Sequence, residues 1–569
     1  MKLSKPLIMA LSAAALSCGA PPAQAAPVDL QFNQVVDDFV FGSLALSPVT
    51  ASGAGYHSHR GRMLEDELDD FSAAGIKASL TLQRDIEERI GKLDPKSLNP
   101  EQRADIDIIH DAILATRLDM EEMQSYRHNP TIYVELVGNA LYTPYVLHYA
   151  PAADRYKHII QRLIGIPRLV RQGEQNLQDA PEVWNKVARE ENVGNIELIE
   201  GVLRADCPKA LAHEYAQAAE PAVIALRAFN EFLEGTLSKK TSDWRIGKVH
   251  YAKKFSYVLA TGKTPDALLK EAEADLKKTH DEMVRLAAPK TIEEALAEVA
   301  AHHATPHTYM ASAKATLATA TAFVKAKDLV TVPPASNLQV IDTPVFMRGV
   351  YGVGGFNSAP ALEPKLGAFF WVTPIADSWP QPRIDSKLRE YNDSGLAHLT
   401  VHEAMPGHYL QAEYANDVKP RSRRLLRNIY GNGPYVEGWA VYAQKLMADE
   451  GFLNDSAGYR LTLAKQMMRV LANTILDVRL QTMDMTDAEA IELMTKETYQ
   501  EMEEATAKLQ RAKLSSCQLP TYYAGYKGWL SVREHYRATH GDSGPLKQFH
   551  EAALREGAVP LPVLDELLN

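Results

Sequence analysis

The sequence predicts a large, mainly α-helical fold with a small antiparallel β element in its second half. Helix starts recur along residues 58–330. Asn99-Pro100 and Thr264-Pro265 each place an N-cap residue before a proline at the first helical position. Apolar residues follow these starts at the spacing of a helix that buries one face. This part of the chain is therefore expected to consist of helices packed on one another.

The β element is predicted where the composition changes, over residues 331–375. Prolines and glycines are frequent there, and short β-like runs lie between them at 338–341, 345–347 and 369–372. Such runs between turn residues favour a small antiparallel sheet or a set of hairpins. Helical character returns around Ser386.

Three regions follow from these patterns: a signal peptide at 1–25, a helical region at 26–330, and a second region at 331–569 with the β element and further helices. Two lysines precede an apolar run at 6–16, and Ala23-Gln24-Ala25 is a small-x-small cleavage site. We expect an exported protein, periplasmic or secreted. Lipid anchoring at Cys18 is the less favoured alternative, because Ala15 stands where a lipobox has leucine.

Composition narrows the classes of function. Of 569 residues, 46% are hydrophobic and 23% are charged, which is ordinary for a folded globular protein. The formal net charge of −11, without a dense basic stripe, argues against nucleic-acid binding. No apolar run after the signal is long enough for a membrane-spanning helix.

Export also bears on the cysteines. Removal of the signal takes Cys18 away and leaves Cys207 and Cys517. In an oxidising compartment the two remaining thiols can form a disulfide. Two separately buried cysteines are the equal alternative.

The densest group of reactive residues is His402-Glu403, followed by His408. Two histidines and a glutamate on a short stretch suggest a zinc site with a general base. On a regular helix, however, six steps leave the second histidine about 120° away from the first. Pro406-Gly407 offers a break that would bring His408 round to the same metal.

Glu437 is a candidate third ligand, at the start of a further helix. Two histidines and one glutamate form a known ligand set for catalytic zinc. The helix dipole also favours a carboxylate in a first turn, so the position has a structural explanation as well. His398, four residues before His402, is a rival ligand by helical spacing.

The motif from His402 to His408, followed by Glu437-Gly438-Trp439-Ala440-Val441-Tyr442, resembles the domain of unknown function 885 family. That family is similar to zinc peptidases of the gluzincin type. The resemblance extends from about residue 30 to the C-terminus. It implies a metallopeptidase-like fold and one Zn²⁺ per chain, held by His402, His408 and Glu437, with Glu403 as general base.

The resemblance also implies roles for two residues further along the chain. Tyr522, rather than Tyr523 or Tyr526, best fits the family position of an oxyanion donor, although core packing is the competing explanation. Asp477 either orients a ligating histidine or is an ordinary helix charge or salt-bridge partner. Many family members have a histidine where this chain has Gln481, which weakens any role for that position.

Together these features predict an exported zinc-dependent hydrolase, a metallopeptidase with Glu403 as base and a peptide or small amide as substrate. An edge strand of the small sheet is expected to hold an extended peptide. Two alternatives are a zinc-dependent amide or ester hydrolase acting on a non-peptide substrate, and an inactive zinc-containing binding protein. Glu403 argues against the last, because a structural site needs no base beside its ligands.

Overall fold

The computed structural model describes residues 28–333, 337–348, 352–541 and 545–569, and most of these residues are helical. The predicted signal peptide and Cys18 lie outside the described residues. The helices before the sheet are α1 Val28–Leu46, α2 Pro48–Gly53, α3 Ala73–Ile90, α4 Pro100–Arg117, α5 Thr131–Val146, α6 Ala152–Asn176, α7 Glu182–Glu200, α8 Val202–Ala205, α9 Ala212–Gly235, α10 Gly247–Leu259, α11 Pro265–Ala287, α12 Ile292–Ala300 and α13 Tyr309–Ala326. A short hairpin, β1 Ser58–His59 with β2 Arg62–Met63, follows α2.

The remaining elements form the second half of the chain. The strands are β3 Leu338–Asp342, β4 Gly354–Asn357 and β5 Ala368–Val372. The helices are α14 Gln381–Glu390, α15 Asp393–Glu403, α16 His408–Ala415, α17 Arg421–Ile429, α18 Gly433–Asp449, α19 Ala457–Thr482, α20 Asp487–Glu492, α21 Met502–Leu514, α22 Pro520–His540, α23 Leu546–Arg555 and α24 Leu561–Leu568. No described helix is both long enough and apolar enough to cross a membrane.

The predicted helix starts are confirmed. The Asn99 side chain accepts a hydrogen bond from the backbone of Gln102 and caps α4, and Pro100 is the first helical residue. Thr264 caps α11 in the same way ahead of Pro265. These side chains satisfy backbone donors that the first helical turn leaves unpaired.

The second sheet has the strand order β3-β5-β4 and is mixed rather than antiparallel. β4 pairs antiparallel with β5, as predicted, but β3 pairs parallel with β5. A parallel pair needs a long crossover, and the segment between Asp342 and Ala368 supplies it and contains β4. The run 345–347, predicted as a strand, is a 3₁₀ turn that begins after Pro344.

The largest hydrophobic core joins both sides of residue 330. It contains Phe39 of α1 and Ile109 of α4 together with Val401 of α15 and Trp439 of α18. A second core lies among α5–α9, and a third joins α10 and α11 to α19–α22. The predicted division at 330 therefore marks a change of composition within a shared core.

The structure does not contain the disulfide that the sequence analysis considered for Cys207 and Cys517, because both thiols are free. Cys207 is half-buried beside the second core, where its Sγ lies 3.7 Å from the carbonyl of Pro208. Cys517 belongs to the third core, where its Sγ lies 3.8 Å from the carbonyl of Tyr251. Of the alternative of two separately buried cysteines, the structure bears out the separation and the burial of Cys517, whereas Cys207 is only half-buried.

A buried ion cluster ties α4 to α17, the helix before α18. Arg427 donates from Nε to Asp105 at 3.0 Å and from a terminal nitrogen to Glu101 at 2.7 Å. Arg423 donates to the other Asp105 oxygen at 2.6 Å. The side chains of Asp105 and Arg427 are 0% and 1% exposed.

We expect Arg427→Met to lower the free energy of unfolding by about 3 kcal/mol, because it leaves the buried Asp105 with one cation fewer. Denaturant unfolding measures the change. Arg555→Met is the control: Arg555 forms an exposed pair with Glu551, and its loss should cost less than about 1 kcal/mol. Equal effects of the two substitutions would contradict the role of the cluster.

Candidate metal centre

The helix is interrupted between α15 and α16, as the sequence predicted. α15 ends at Glu403 and α16 begins at His408. The Gly407 amide donates to the Val401 carbonyl at 2.9 Å, and a Cβ at this position would lie 1.9 Å from the carbonyl oxygen of His402. Only glycine therefore fits here without a shift of the backbone. The Trp439 indole of α18 holds the break by donating to the Pro406 carbonyl at 2.8 Å.

The break brings the three predicted ligands together. Nε2 of His402 and Nε2 of His408 each lie 3.4 Å from Oε2 of Glu437. The imidazole rings are 4.7 Å apart at their centroids and nearly perpendicular, at 84°. One potential ligand atom from each of the three residues lies within 4.8 Å of the other two.

These residues fit a zinc ion by their donor atoms. Oε2 of Glu437 is buried and has no hydrogen-bond partner among the described residues, although it faces both imidazoles. Burial alone would raise the pKa of Glu437, but the two histidines hold it well below its usual range. An ionised carboxylate with two imidazoles is the donor set of catalytic zinc sites that leave a position for water.

Glu403 lies beside this cluster and lines the same cleft. Burial raises the pKa of its carboxyl to about 7, against the lowering effect of His402. The charge of Glu437 acts in the same direction as burial, and the Phe356 backbone of β4 donates a hydrogen bond to the carboxylate. A carboxyl with a pKa near neutrality is suited to accept and release a proton.

Tyr522 reaches the cluster because α18 and α22 pack at very close range. A Cβ on Gly438 would lie 2.3 Å from the backbone of Gly525. The Tyr522 ring stacks along His402 at 6.1 Å between centroids. Gln518 Nε2 donates to the Tyr522 hydroxyl and to Glu437 Oε1, each at 3.4 Å. Burial raises the pKa of Tyr522 to about 12, so the hydroxyl keeps its proton as a donor.

The neighbouring tyrosines point elsewhere. The Tyr523 hydroxyl donates to Asp275 of α11 at 2.7 Å. Tyr526 lines a separate cavity next to Asp275 and Glu282. Of the three candidate donors, Tyr522 is the one that lines the cleft with the predicted ligands.

Asp477 does not orient a ligating histidine. Its Oδ1 accepts from the Tyr251 hydroxyl at 2.6 Å and from the Cys517 amide at 3.0 Å, and its Oδ2 has no hydrogen-bond partner among the described residues. Burial raises its pKa to about 6. Asp477 therefore positions the turn before α22, the helix that carries Tyr522.

Gln481 and His398 also have structural roles. The Gln481 side chain accepts from the Ile246 amide at 3.0 Å and donates to the Ser515 carbonyl at 3.3 Å. His398 stacks on Tyr459 at 4.0 Å and lies 3.1 Å through Nε2 from the Tyr459 carbonyl. The rival ligand suggested by helical spacing is thus a core side chain.

The cluster opens into a cleft of about 500 Å³. Besides the predicted residues, β4 lines it, and so do cationic side chains that the sequence analysis missed: Arg348, Arg383, Lys387, Arg469, Lys508 and Arg511. These residues come from four separate segments between 345 and 514, so no local motif marks them. One sequence signal was available for two of them: Lys508 and Arg511 lie three residues apart on α21, so their side chains share a face of that helix.

The fold and this cluster define a helical protein with a His-His-Glu cluster, a candidate metal site, beside a cleft. The model of the family described as bacterial protein of unknown function (DUF885) matches residues 48–568. The chain belongs to this family, as its motifs suggested. No curated protein matches the chain.

Two solved structures are similar over nearly their whole length. One, described as "a putative lipoprotein of unknown function" from Shewanella oneidensis, has 26% identity and a TM-score of 0.77, covering 94% of this chain and 99% of that one. The other, from Colwellia psychrerythraea and also described as a "putative lipoprotein", has 17% identity and a TM-score of 0.77, covering 96% and 99%. The second shows likeness of fold alone.

Proposed function

We propose that the protein is an exported zinc metallopeptidase of gluzincin type. The observation that carries the proposal is the meeting of His402, His408 and Glu437 at one point, with Glu403 and Tyr522 beside them. A base and a hydroxyl donor next to a three-ligand site are the parts that amide hydrolysis needs. A structural metal site would need neither.

The chemistry follows from the positions of these side chains. A zinc ion bound there would lower the pKa of a bound water and polarise the substrate carbonyl. Glu403 takes a proton from the attacking water and passes it to the leaving amine. Tyr522 donates its hydroxyl to the oxyanion that develops on the carbonyl oxygen.

The edge strand β4 favours a peptide over a non-peptide amide or ester. β4 is an outer strand of its sheet, and Gly354, Gly355 and Phe356 line the cleft. An extended peptide can add to such an edge through backbone hydrogen bonds.

Export is proposed from the sequence of residues 1–25, with cleavage before Ala26. The solved relative from Shewanella oneidensis, described as a putative lipoprotein, supports an exported location, and it makes Cys18 the residue to check. N-terminal mass analysis of protein from the native host separates a chain that starts near Ala26 from one with a lipid-modified Cys18.

A peptide-library digest read by mass spectrometry tests the proposed activity. The zinc-loaded protein should cleave peptides, a chelator should abolish cleavage, and added zinc should restore it. A parallel screen of ester and non-peptide amide substrates tests the alternative. Zinc-dependent turnover of these substrates without any peptide cleavage would overturn the peptidase proposal.

Each ligand should be needed for zinc binding. His402→Ala, His408→Ala and Glu437→Ala should lose most bound zinc, because two donors hold the metal far more weakly than three. Metal analysis of the purified variants measures this. His303→Ala, at an exposed position, should keep full zinc occupancy. Full occupancy in Glu437→Ala would remove Glu437 from the ligand set.

A further inference from the structure

The side chain of Gln518 contacts two members of the candidate site at once. Its Nε2 lies 3.4 Å from Oε1 of Glu437 and 3.4 Å from the hydroxyl oxygen of Tyr522. Its Oε1 accepts a hydrogen bond from a terminal nitrogen of Arg511 at 3.3 Å. Gln518 therefore lies between a predicted metal ligand and the predicted oxyanion donor, and it lines the same cleft.

The chemistry of these partners permits one orientation of the Gln518 amide. An arginine side chain can only donate hydrogen bonds, whereas an ionised carboxylate can only accept them. The amide oxygen must therefore face Arg511. Both hydrogens of the NH2 group are then available, one for Glu437 and one for Tyr522.

The contact with Gln518 gives the two oxygens of Glu437 different roles. Oε1 accepts from Gln518, whereas Oε2 lies 3.4 Å from Nε2 of both His402 and His408. A carboxylate that is held at one oxygen keeps the other oxygen aimed at the metal position. Hydrogen bonds of this kind orient metal ligands, and their loss typically weakens metal binding by about 10- to 100-fold.

The same amide also bears on the direction of the Tyr522 proton. A hydroxyl that accepts from Gln518 on its oxygen must donate its own proton to a different group. Tyr522 lines the cleft, so its proton is available to the oxyanion that the proposed reaction develops there. Hydrogen bonds in a chain polarise one another, and an amide donor behind the hydroxyl makes that hydroxyl a better donor.

The backbone at Gln518 is fixed by contacts outside the cleft. The Cys517 amide donates to Oδ1 of the buried Asp477 at 3.0 Å. The Gln518 carbonyl accepts from the hydroxyl of Thr521 at 2.6 Å and from its amide at 3.1 Å. A side chain that is held at its base by these contacts and at its tip by Arg511 is suited to position other groups.

We propose that Gln518 is a positioning residue of the candidate site, whose single amide holds Glu437 for the metal and Tyr522 for the oxyanion. The inference rests on the proposed zinc peptidase function and adds to it a residue that acts through its neighbours. It implies that zinc affinity and turnover depend on Gln518 by separate routes, one through each N–H.

Zinc affinity tests the route through Glu437. Gln518→Met should weaken zinc binding about 10-fold, because it removes the donor to Glu437 while keeping the length of the side chain. Gln518→Asn keeps an amide but is one methylene shorter, so it should show the same loss. Competition with a chromophoric chelator measures the zinc Kd without any substrate, and circular dichroism checks folding. An unchanged Kd in both variants would overturn the proposal.

Turnover of the zinc-saturated enzyme tests the route through Tyr522. Gln518→Met should lower kcat about 10-fold and change KM little, because the contact acts on the transition state. In the Tyr522→Phe background the same substitution should change kcat by less than about 2-fold, since the hydroxyl on which it acts is already gone. The effect on the zinc Kd should persist in that background. An equal loss of kcat with and without the hydroxyl would overturn this route.

Gln500→Met is the matched control. Gln500 is 4% exposed, and its amide donates to the Thr498 hydroxyl at 2.9 Å. It is not among the residues that line the cleft. Its substitution also removes a buried amide donor and should leave the zinc Kd and kcat at their wild-type values. Equal losses in Gln500→Met and Gln518→Met would show a general loss of stability and overturn the proposal.

These measurements separate the inference from the proposed function. Weaker zinc binding by Gln518→Met, in a protein that cleaves no peptide, would support the positioning of Glu437 and refute the peptidase proposal alone. Zinc-dependent peptide cleavage, with the zinc Kd and kcat unchanged in Gln518→Met, would overturn the role of Gln518 and leave the peptidase proposal standing.

Discussion

Glu403→Gln should keep a full complement of zinc and lose turnover by about 10²–10⁴-fold. The amide is nearly the same size as the carboxylate and keeps an acceptor for the Phe356 backbone donor, so the site should retain its shape. It cannot accept a proton from water. The loss should fall on kcat rather than on KM, because proton transfer is part of the transition state and not of substrate binding.

Glu413→Gln provides the matched control. Glu413 lies on α16, the helix that begins at His408, and burial raises the pKa of its carboxyl to about 7, as burial does for Glu403. Glu413 does not line the cleft of the metal centre. Steady-state kinetics and metal analysis of both variants test whether Glu403 is the general base. If Glu403→Gln retains the wild-type kcat, or if both substitutions reduce it equally, Glu403 is not the base.

The meeting of the candidate metal ligands was largely predictable because most of them lie close together in the sequence. His402, Glu403 and His408 lie within one short segment, and the obstacle of helical spacing was removed by a proline and a glycine between the histidines. The structure gives the physical reason for the glycine, since any Cβ at Gly407 would collide with the carbonyl of His402. Adding Glu437 depended on the resemblance to a family, because a glutamate near the start of a helix is ambiguous by itself; in the structure Glu437 lies beyond the first turn of α18.

The errors and omissions of the sequence analysis concern residues and strands whose positions depend on contacts with distant parts of the sequence. Asp477 was a candidate to orient a ligating histidine, but its partners are Tyr251 and Cys517, which are distant in sequence. The direction of β3 depends on a crossover that no local pattern encodes. The cationic side chains that line the cleft come mainly from α14, α19 and α21, which are distant in sequence and meet only in the fold.

The signals that did predict structure were those that act over one turn or one strand. Asn99 and Thr264 cap their helices through side-chain contacts three residues away. The run 369–372 forms the central strand, with every residue of β5 buried. The run 345–347 shows the limit of this approach: its residues favour strands, but the proline before it starts a turn.

Tyr522→Phe should lower kcat by about 10²–10³-fold if its hydroxyl donates to the oxyanion, as other such donors do. The hydroxyl contributes only when negative charge develops on the substrate carbonyl, so KM should change less than kcat. Zinc binding should remain, because Tyr522 touches Glu437 only through Gln518. The ring that stacks along His402 is also kept in phenylalanine.

Two neighbours on the same helix serve as controls for this substitution. Tyr523→Phe removes the hydrogen bond to Asp275 and should affect stability more than kcat. Tyr526→Phe alters a separate cavity and should leave kcat near the wild-type value. Steady-state kinetics with one peptide, together with zinc analysis, compares the three. A full kcat in Tyr522→Phe would place the oxyanion donor elsewhere. Arg511 would be the next residue to test, because it contacts Gln518 beside Glu437.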